Sequence, residues 1–232
     1  MHWQILATIL FVVTISNHVY GKAAMDDGPV FSEAEDEMVI KLLDEFRAPS
    51  QSADELNDEP SGPSFDESFR RSFSSHKDFL RALKDDIQRH ERKRGVLSCA
   101  KVDQPSNCPG RKEVNGCGTD MFSKIPFPFR DTMTASCNKH DICYGCGYSR
   151  KWTQSDCDSQ FKDDMYKKCD CKYKDDWWWT RTPSVLACKT TAFTMYQAVT
   201  WFGSGAISKQ DEHYCHDSCI LPYGSPTIAL YP

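Results

Sequence analysis

The chain is 232 residues long, 26% charged and 40% hydrophobic, with 12 cysteines and a formal net charge of −5 at pH 7. That charge sits on one side: residues 1–94 carry 12 Lys and Arg against 18 Asp and Glu, and residues 95–232 carry 16 against 15. No basic cluster is large enough to give a nucleic-acid-binding footprint, and an even cysteine count confined to Cys99 onward implies a disulfide framework made in an oxidising compartment.

Met1 to Tyr20 holds an apolar run from Ile5 to Ile15, shorter than the roughly 20 residues a bilayer-spanning helix needs. It ends in Val19-Tyr20-Gly21, with small residues where a signal peptidase reads, so residues 1–21 are expected to be a signal peptide and the protein to be secreted. Residues 22–94 contain no cysteine and are rich in Asp, Glu, Ser and Pro; QSADELNDEPSGPSFDES is their least foldable stretch. Two weak amphipathic helices are predicted there, around Glu35 to Phe46 and around Phe73 to Gln88, in an otherwise largely disordered segment. Arg92-Lys93-Arg94 closes it, and basic residues in an exposed segment invite processing proteases. The expectation is a propeptide over 22–94, with an attached acidic linker as the alternative, and Gly95 as the start of the mature domain.

Residues 95–232 are predicted to be mainly α, a three-helix domain braced by six disulfides whose pairing spacing alone leaves open. Gly116 and Gly118 let loop carbonyls turn inward without a Cβ penalty, and Pro126 and Pro128 stiffen the lead into the first helix. That helix, Asp131 to Cys146 (DTMTASCNKHDICYGC), with Asp131 or Thr132 as N-cap, aligns Cys137, His140 and Tyr144 on one stripe. Asp141 follows His140 by about 100° of rotation, so imidazole and carboxylate diverge and each needs its own partner.

The second helix, capped near Ser155 and running to Cys171, supplies the candidate acid. Phe161, Met165 and Cys169 make its apolar stripe, and Asp158 lies on that stripe. Asp156 and Asp163 fall on the opposite face and Asp164 about 100° away. A carboxylate on a buried face must be paired or hydrogen-bonded, and an imidazole N–H suits it. Trp177, Trp178 and Trp179, among Lys172, Lys174 and Arg181, fit a membrane-interface anchor, a protein contact or core cover. The third helix is predicted from Thr182-Pro183-Ser184 to before Gly203, with Tyr196 as a core residue or a hydrogen-bond partner of the His–Asp pair. The tail beyond Cys219 reads as irregular. His213, Cys215, His216 and Cys219 have zinc-ligand types, but in a secreted chain with paired cysteines they read as disulfides and two surface histidines.

Cys-x-x-His-Asp-x-Cys on a helix, after Asn115-Gly116-Cys117-Gly118, resembles the secreted calcium-dependent phospholipases A2. The PFPF run before the helix, DSQFKDDMYKKC and TAFTMYQAVTWFG bring it nearest to their conodipine branch and the bacterial and fungal relatives. The resemblance covers most of Cys99 to Gly203 and none of the first ninety-odd residues. It implies His140 as general base, Asp158 as its supporting acid, and a Ca²⁺ held by Asp141 with loop carbonyls from Asn115, Gly116 and Gly118. This loop is poorer in glycine than the vertebrate and venom pattern. The implied activity is hydrolysis of the sn-2 ester of glycerophospholipids at a membrane or micelle surface. The conodipine likeness adds a venom role and cleavage near 172–182 into two disulfide-linked chains. A different class, a toxin that uses the scaffold to occupy a receptor or ion channel without catalysis, is the alternative; intact His140, Asp141 and Asp158 favour the enzyme.

Overall fold

The computed structural model describes residues 33–47, 65–93, 95, 97–102, 107–118 and 128–231, and of residues 45–47, 65–66 and 178–181 the backbone alone. The expected signal peptide, Arg94, Pro126 and the side chains of Phe46, Trp178 and Trp179 lie outside the described residues. Among the described residues there is no β-strand. The helices are α1 (Glu33–Arg47), α2 (Phe65–Ser72), α3 (His76–Lys93), α4 (Arg130–Gly145), α5 (Gly147–Arg150), α6 (Gln154–Lys172), α7 (Trp178–Phe202) and α8 (Ile220–Gly224).

The helix starts differ from the sequence reading for local reasons. α4 begins at Arg130, ahead of the predicted Asp131 or Thr132 cap, because Phe129 takes a left-handed conformation (φ 66°, ψ 11°) and the Met133 N–H already bonds its carbonyl at 3.1 Å. No side chain caps it. α6 begins at Gln154, beside the expected start, with Thr153 as the cap in place of Ser155: the Thr153 hydroxyl accepts from the Asp156 N–H at 3.2 Å and donates to the Asp156 carboxylate at 2.6 Å. α7 begins at Trp178, so Pro183 lies inside the helix instead of at its start. There its missing N–H removes one bond of a ladder that is barely a turn old. The end before Gly203 is where the sequence placed it.

α4, α6 and α7 form the centre of the domain, and Met133, Phe161, Met165, Tyr166, Phe193 and Met195 fill the space between them. The cysteines pair 99–171, 108–219, 117–137, 143–157, 146–215 and 169–188. Cys143–Cys157 ties α4 to α6 and Cys169–Cys188 ties α6 to α7, so the helices that must meet at the site are cross-linked beside it. Each bridge contributes about 2 to 4 kcal/mol by restricting the unfolded chain.

The tail is more ordered than expected. α8 and Leu230 and Tyr231 join Ile142 in a second apolar cluster, and the Val102 N–H donates to the Leu230 carbonyl at 2.9 Å. The described part of residues 22–94 is almost wholly helical: the first expected helix lengthens at both ends to α1, the second is shifted toward the C-terminus as α3, starting at His76 instead of Phe73 and ending at Lys93, and the FDES end of the least foldable stretch opens α2. Their apolar faces enter the same core as α6 and α7.

Candidate functional site

His140 projects from α4 and Asp158 from α6, and His140 Nε2 meets Asp158 Oδ1 at 2.8 Å. The spatial relation follows from the cross-link: Cys143 stands one turn after His140, Cys157 immediately precedes Asp158, and their bond fixes the two helices at that level. The imidazole is 8% exposed and the carboxylate 2%. The ring is held between Phe161, stacked at 4.5 Å between centroids, and Tyr144, tilted at 4.1 Å.

A carboxylate this buried needs more than one donor. The Tyr144 hydroxyl donates to Oδ1 at 2.7 Å and the Gln154 amide to Oδ2 at 3.3 Å. Burial, with the Asp158 carboxylate alongside, pushes the Tyr144 phenol far up, so it stays a donor. Gln154 also donates to the Val199 carbonyl at 3.1 Å, which brings α7 into the same arrangement. With Nε2 committed to Asp158, Nδ1 is the remaining basic nitrogen of the ring.

Tyr144 and Gln154 do what the sequence reading had offered to Tyr196. Tyr196 packs on the core beneath the Lys162 ammonium, 4.7 Å from its ring, so the core alternative holds. Tyr144 was legible as the i+4 neighbour of His140, and Gln154 as the i−4 neighbour of Asp158.

Asp141 faces a neighbouring patch, as the helical rotation requires. Its carboxylate accepts from the Asn115 N–H at 3.1 Å, the Gly116 N–H donates to Asn138 at 3.0 Å, and Cys117 is bonded to Cys137. Three successive loop residues are thereby pinned to one face of α4. Gly116 has φ +74°, a left-handed conformation glycine adopts without strain; a Cβ there would meet only Thr134, at 3.7 Å. Burial raises the Asp141 carboxyl, against the Asn115 hydrogen bond and the charge of His140.

One carboxylate and several carbonyls make a hard oxygen donor set that suits Ca²⁺ and not zinc. With its nitrogen turned inward, the Asn115 amide meets the carbonyls of Gly116 at 3.2 Å and Gly118 at 3.1 Å. Two loop carbonyls thus converge where an electropositive group is welcome. Among the described residues no three His, Cys, Asp or Glu side chains gather as a metal cluster. Cys215 and Cys219 are in disulfides, and His216 contacts Asp211 at 2.8 Å on the surface, as the sequence reading of that stretch expected.

The site opens into a cavity of about 510 Å³. His140, Asp141, Asn115 and Gly116 line it on one side, and Phe161, Met195, Val199 and Phe202 supply apolar wall. Such a cavity suits a ligand with one polar head and an apolar chain.

The other carboxylates of α6 have their own partners. Asp164 is fully buried and accepts from Lys139 at 2.7 Å, from Gln160 at 2.9 Å and from the Leu230 N–H at 2.7 Å. Burial pushes the Lys139 amine down and the Asp164 carboxyl up, each opposed by the other's charge. Lys139 also donates to the Ile228 carbonyl, so the residue before His140 clamps the tail. The sequence reading passed over this pair, because a lysine next to a candidate histidine reads as solvated.

No family model matches the chain, and no solved structure matches it. Among curated relatives, it is 34% identical over 93 residues to group XIIA secretory phospholipase A2 of Homo sapiens, covering 38% of this chain and 44% of the relative. It is 32% identical over 75 residues to conodipine-P3 of Conus purpurascens, 32% of this chain and 39% of the relative. It is 40% identical over 55 residues to the conodipine-M alpha chain of Conus magus, 24% of this chain and 68% of the relative. The chain thus spans less than half the length of the first two and two thirds of the third.

Proposed function

Since this chain belongs to the secreted phospholipase A2 superfamily, we propose that it is a calcium-dependent hydrolase of the sn-2 ester of glycerophospholipids. The observation that carries the proposal is the buried 2.8 Å contact between His140 Nε2 and Asp158, which orients the imidazole and leaves Nδ1 to take a proton. His140 acts as general base on a water molecule that attacks the ester carbonyl. Asp158 holds the ring's tautomer and stabilises the imidazolium that forms, while Tyr144 and Gln154 hold Asp158. His140 then returns the proton to the departing glycerol oxygen. Asp141 and the carbonyls of Asn115, Gly116 and Gly118 would hold Ca²⁺, which when bound supplies Lewis-acid polarisation of the ester carbonyl and counter-charge for the phosphate. The apolar wall of Met195, Val199 and Phe202 takes the acyl chain.

Of the two readings the sequence opened, the paired His140 and Asp158 favour the hydrolase over a scaffold that merely occupies a receptor or channel. Access to aggregated lipid would come through exposed Trp177, 69% accessible at the start of α7. On the same reading the protein is secreted, residues 22–94 are a propeptide, and Gly95 opens the mature chain. A cut near Arg181 would leave two chains joined by Cys169–Cys188, Cys146–Cys215 and Cys108–Cys219.

The test is a calcium titration on phosphatidylcholine labelled differently at its two acyl positions. Release of the sn-2 fatty acid that rises with Ca²⁺ and vanishes in EDTA is expected. Release from sn-1, or release that persists in EDTA, would overturn the proposal.

A further inference from the structure

One face of α6 and α7 is covered by α1, α2 and α3 of the chain's own N-terminal segment. We propose that the helices of residues 33–47 and 65–93 are a structural subunit of the folded protein, bound tightly enough to remain in place when the peptide bond after Arg94 is cut. No covalent tie enforces this, because every cysteine lies from Cys99 onward and all six bridges are internal to that part.

What holds the segment is a shared core. Val39, Leu43, Phe69, Phe79, Leu83 and Ile87 are buried in the cluster that also contains Met165, Leu186 and Phe193. Phe79 packs edge-on against Phe193 at 5.3 Å, and Phe73 against Trp201 at 6.4 Å. An acidic segment meant to detach should present a polar contact face; this one sends its large apolar side chains inward. Helix α3 adds charge complementarity along its length. Asp86 meets Lys162 at 2.6 Å, and Glu91 meets Lys189 at 2.5 Å. Lys189 is 2% exposed, contacts Asp170 of α6 at 2.9 Å and lies under the end of α3. Without the segment, Lys189 and Asp170 would lose Glu91 and His90 from their surroundings, and the apolar face between α6 and α7 would be open to water. Removing one side of a buried charge network is strongly unfavourable, and so is exposing a contiguous apolar patch. The helix carries these contacts through Glu91 and ends at Lys93, so a cut after Arg94 falls just beyond them.

The segment also bears on the site. Met195 and Val199 line the cavity and pack on the same cluster as Phe73 and Phe79, so α3 and the residues just before it buttress one cavity wall.

The experiment uses the full chain with a site-specific protease sequence inserted between Arg94 and Gly95, folded with its disulfides and then cut. At about 1 μM, co-elution on gel filtration requires a Kd well below that concentration. The expected result is one peak containing both fragments at 1:1, with one cooperative melt. In a Leu83→Asp chain cut in the same way, a carboxylate at a position with no exposure weakens association roughly 100-fold or more, and the fragments elute apart. The proposal is overturned if the unsubstituted fragments separate, or if Leu83→Asp leaves co-elution intact. Neither readout involves hydrolysis, so failure here is distinguishable from failure of the hydrolase reading.

Discussion

Gly203 offers a sharp quantitative test of how the site is supported. It closes α7 at φ −78° and ψ −10°, a conformation any residue adopts. Alanine there should by backbone considerations stabilise by about 0.4 to 1 kcal/mol, through the unfolded state. Space decides otherwise: a Cβ at 203 would stand 2.3 Å from the Tyr144 hydroxyl, 3.1 Å from Gln154 Nε2 and 3.2 Å from Tyr144 Cε2. The hydroxyl would have to move by about 1 Å to reach ordinary contact, and it is the atom that bonds Asp158 at 2.7 Å. Overpacking of this kind costs about 1 to 3 kcal/mol, and loss of a hydrogen bond to a carboxylate about 1.5 to 3 kcal/mol. Net of the backbone gain, Gly203→Ala is therefore expected to destabilise by about 1.5 to 5.5 kcal/mol. Tyr144→Phe removes the same bond without the clash and should cost about 1.5 to 3 kcal/mol. In the double variant the offending oxygen is absent, so its cost should equal that of Tyr144→Phe to within about 0.5 kcal/mol. Urea unfolding of the four proteins closes the cycle. Additive costs would refute the claim that Gly203 is glycine because Tyr144 needs the room.

Three further outcomes follow from the structure. Lys139→Ala leaves Asp164 buried without its cation and should destabilise by about 3 to 5 kcal/mol in chemical denaturation, a loss that a solvated lysine would not produce. Gly116→Ala forces a left-handed residue into the loop. It should cost roughly 1 kcal/mol of stability and, from the displaced carbonyls, weaken Ca²⁺ binding by calorimetry; unchanged binding would contradict the loop assignment. His90 sits between Asp163 and Asp170 of α6, with Lys189 of α7 opposing and Asp86 and Glu91 on its own helix. Despite burial, its carboxylate partners raise it above the ordinary 6.5, and the same contact lowers Asp163 below 3.8. A raised histidine contributes stability below 6.5 that is lost as pH rises through its folded value; a lowered carboxyl contributes above 3.8 and loses it on acidification. The melting-temperature difference between wild type and His90→Gln should be largest between these limits and shrink by pH 9. A constant difference would remove His90 from the docking of α3.

The helices and the acid partner were legible because they rest on periodicity. Asp158 was separable from Asp156, Asp163 and Asp164 by its place on the Phe161–Met165–Cys169 stripe, and the fold puts it where that stripe points. The His140–Asp141 divergence was equally a matter of helical rotation. What periodicity could not carry was anything set by distant packing. Asp164, off the stripe, is buried because Lys139 and the tail close over it, 25 and 66 residues away in sequence. The Phe129 start of α4 is a backbone conformation with no side-chain cap to announce it. Residues 33–47 and 65–93 read as foldable only weakly, since their apolar positions meet one another, as Phe69, Phe73 and Phe79 do, only in a core that α6 and α7 complete. Pairing of the cysteines was closed to spacing arguments, yet once α4, α6 and α7 are set side by side, 143–157 and 169–188 are the bridges that hold them there.

On the proposed mechanism His140 Nδ1 takes the proton from water. Sn-2 fatty acid release from phosphatidylcholine at saturating Ca²⁺, compared between wild type and His140→Gln with matched near-ultraviolet circular dichroism, tests it most directly. A general base contributes about 10² to 10⁴ in rate, so a fall of at least 100-fold with an unchanged spectrum is predicted. Release within tenfold of wild type would contradict the account.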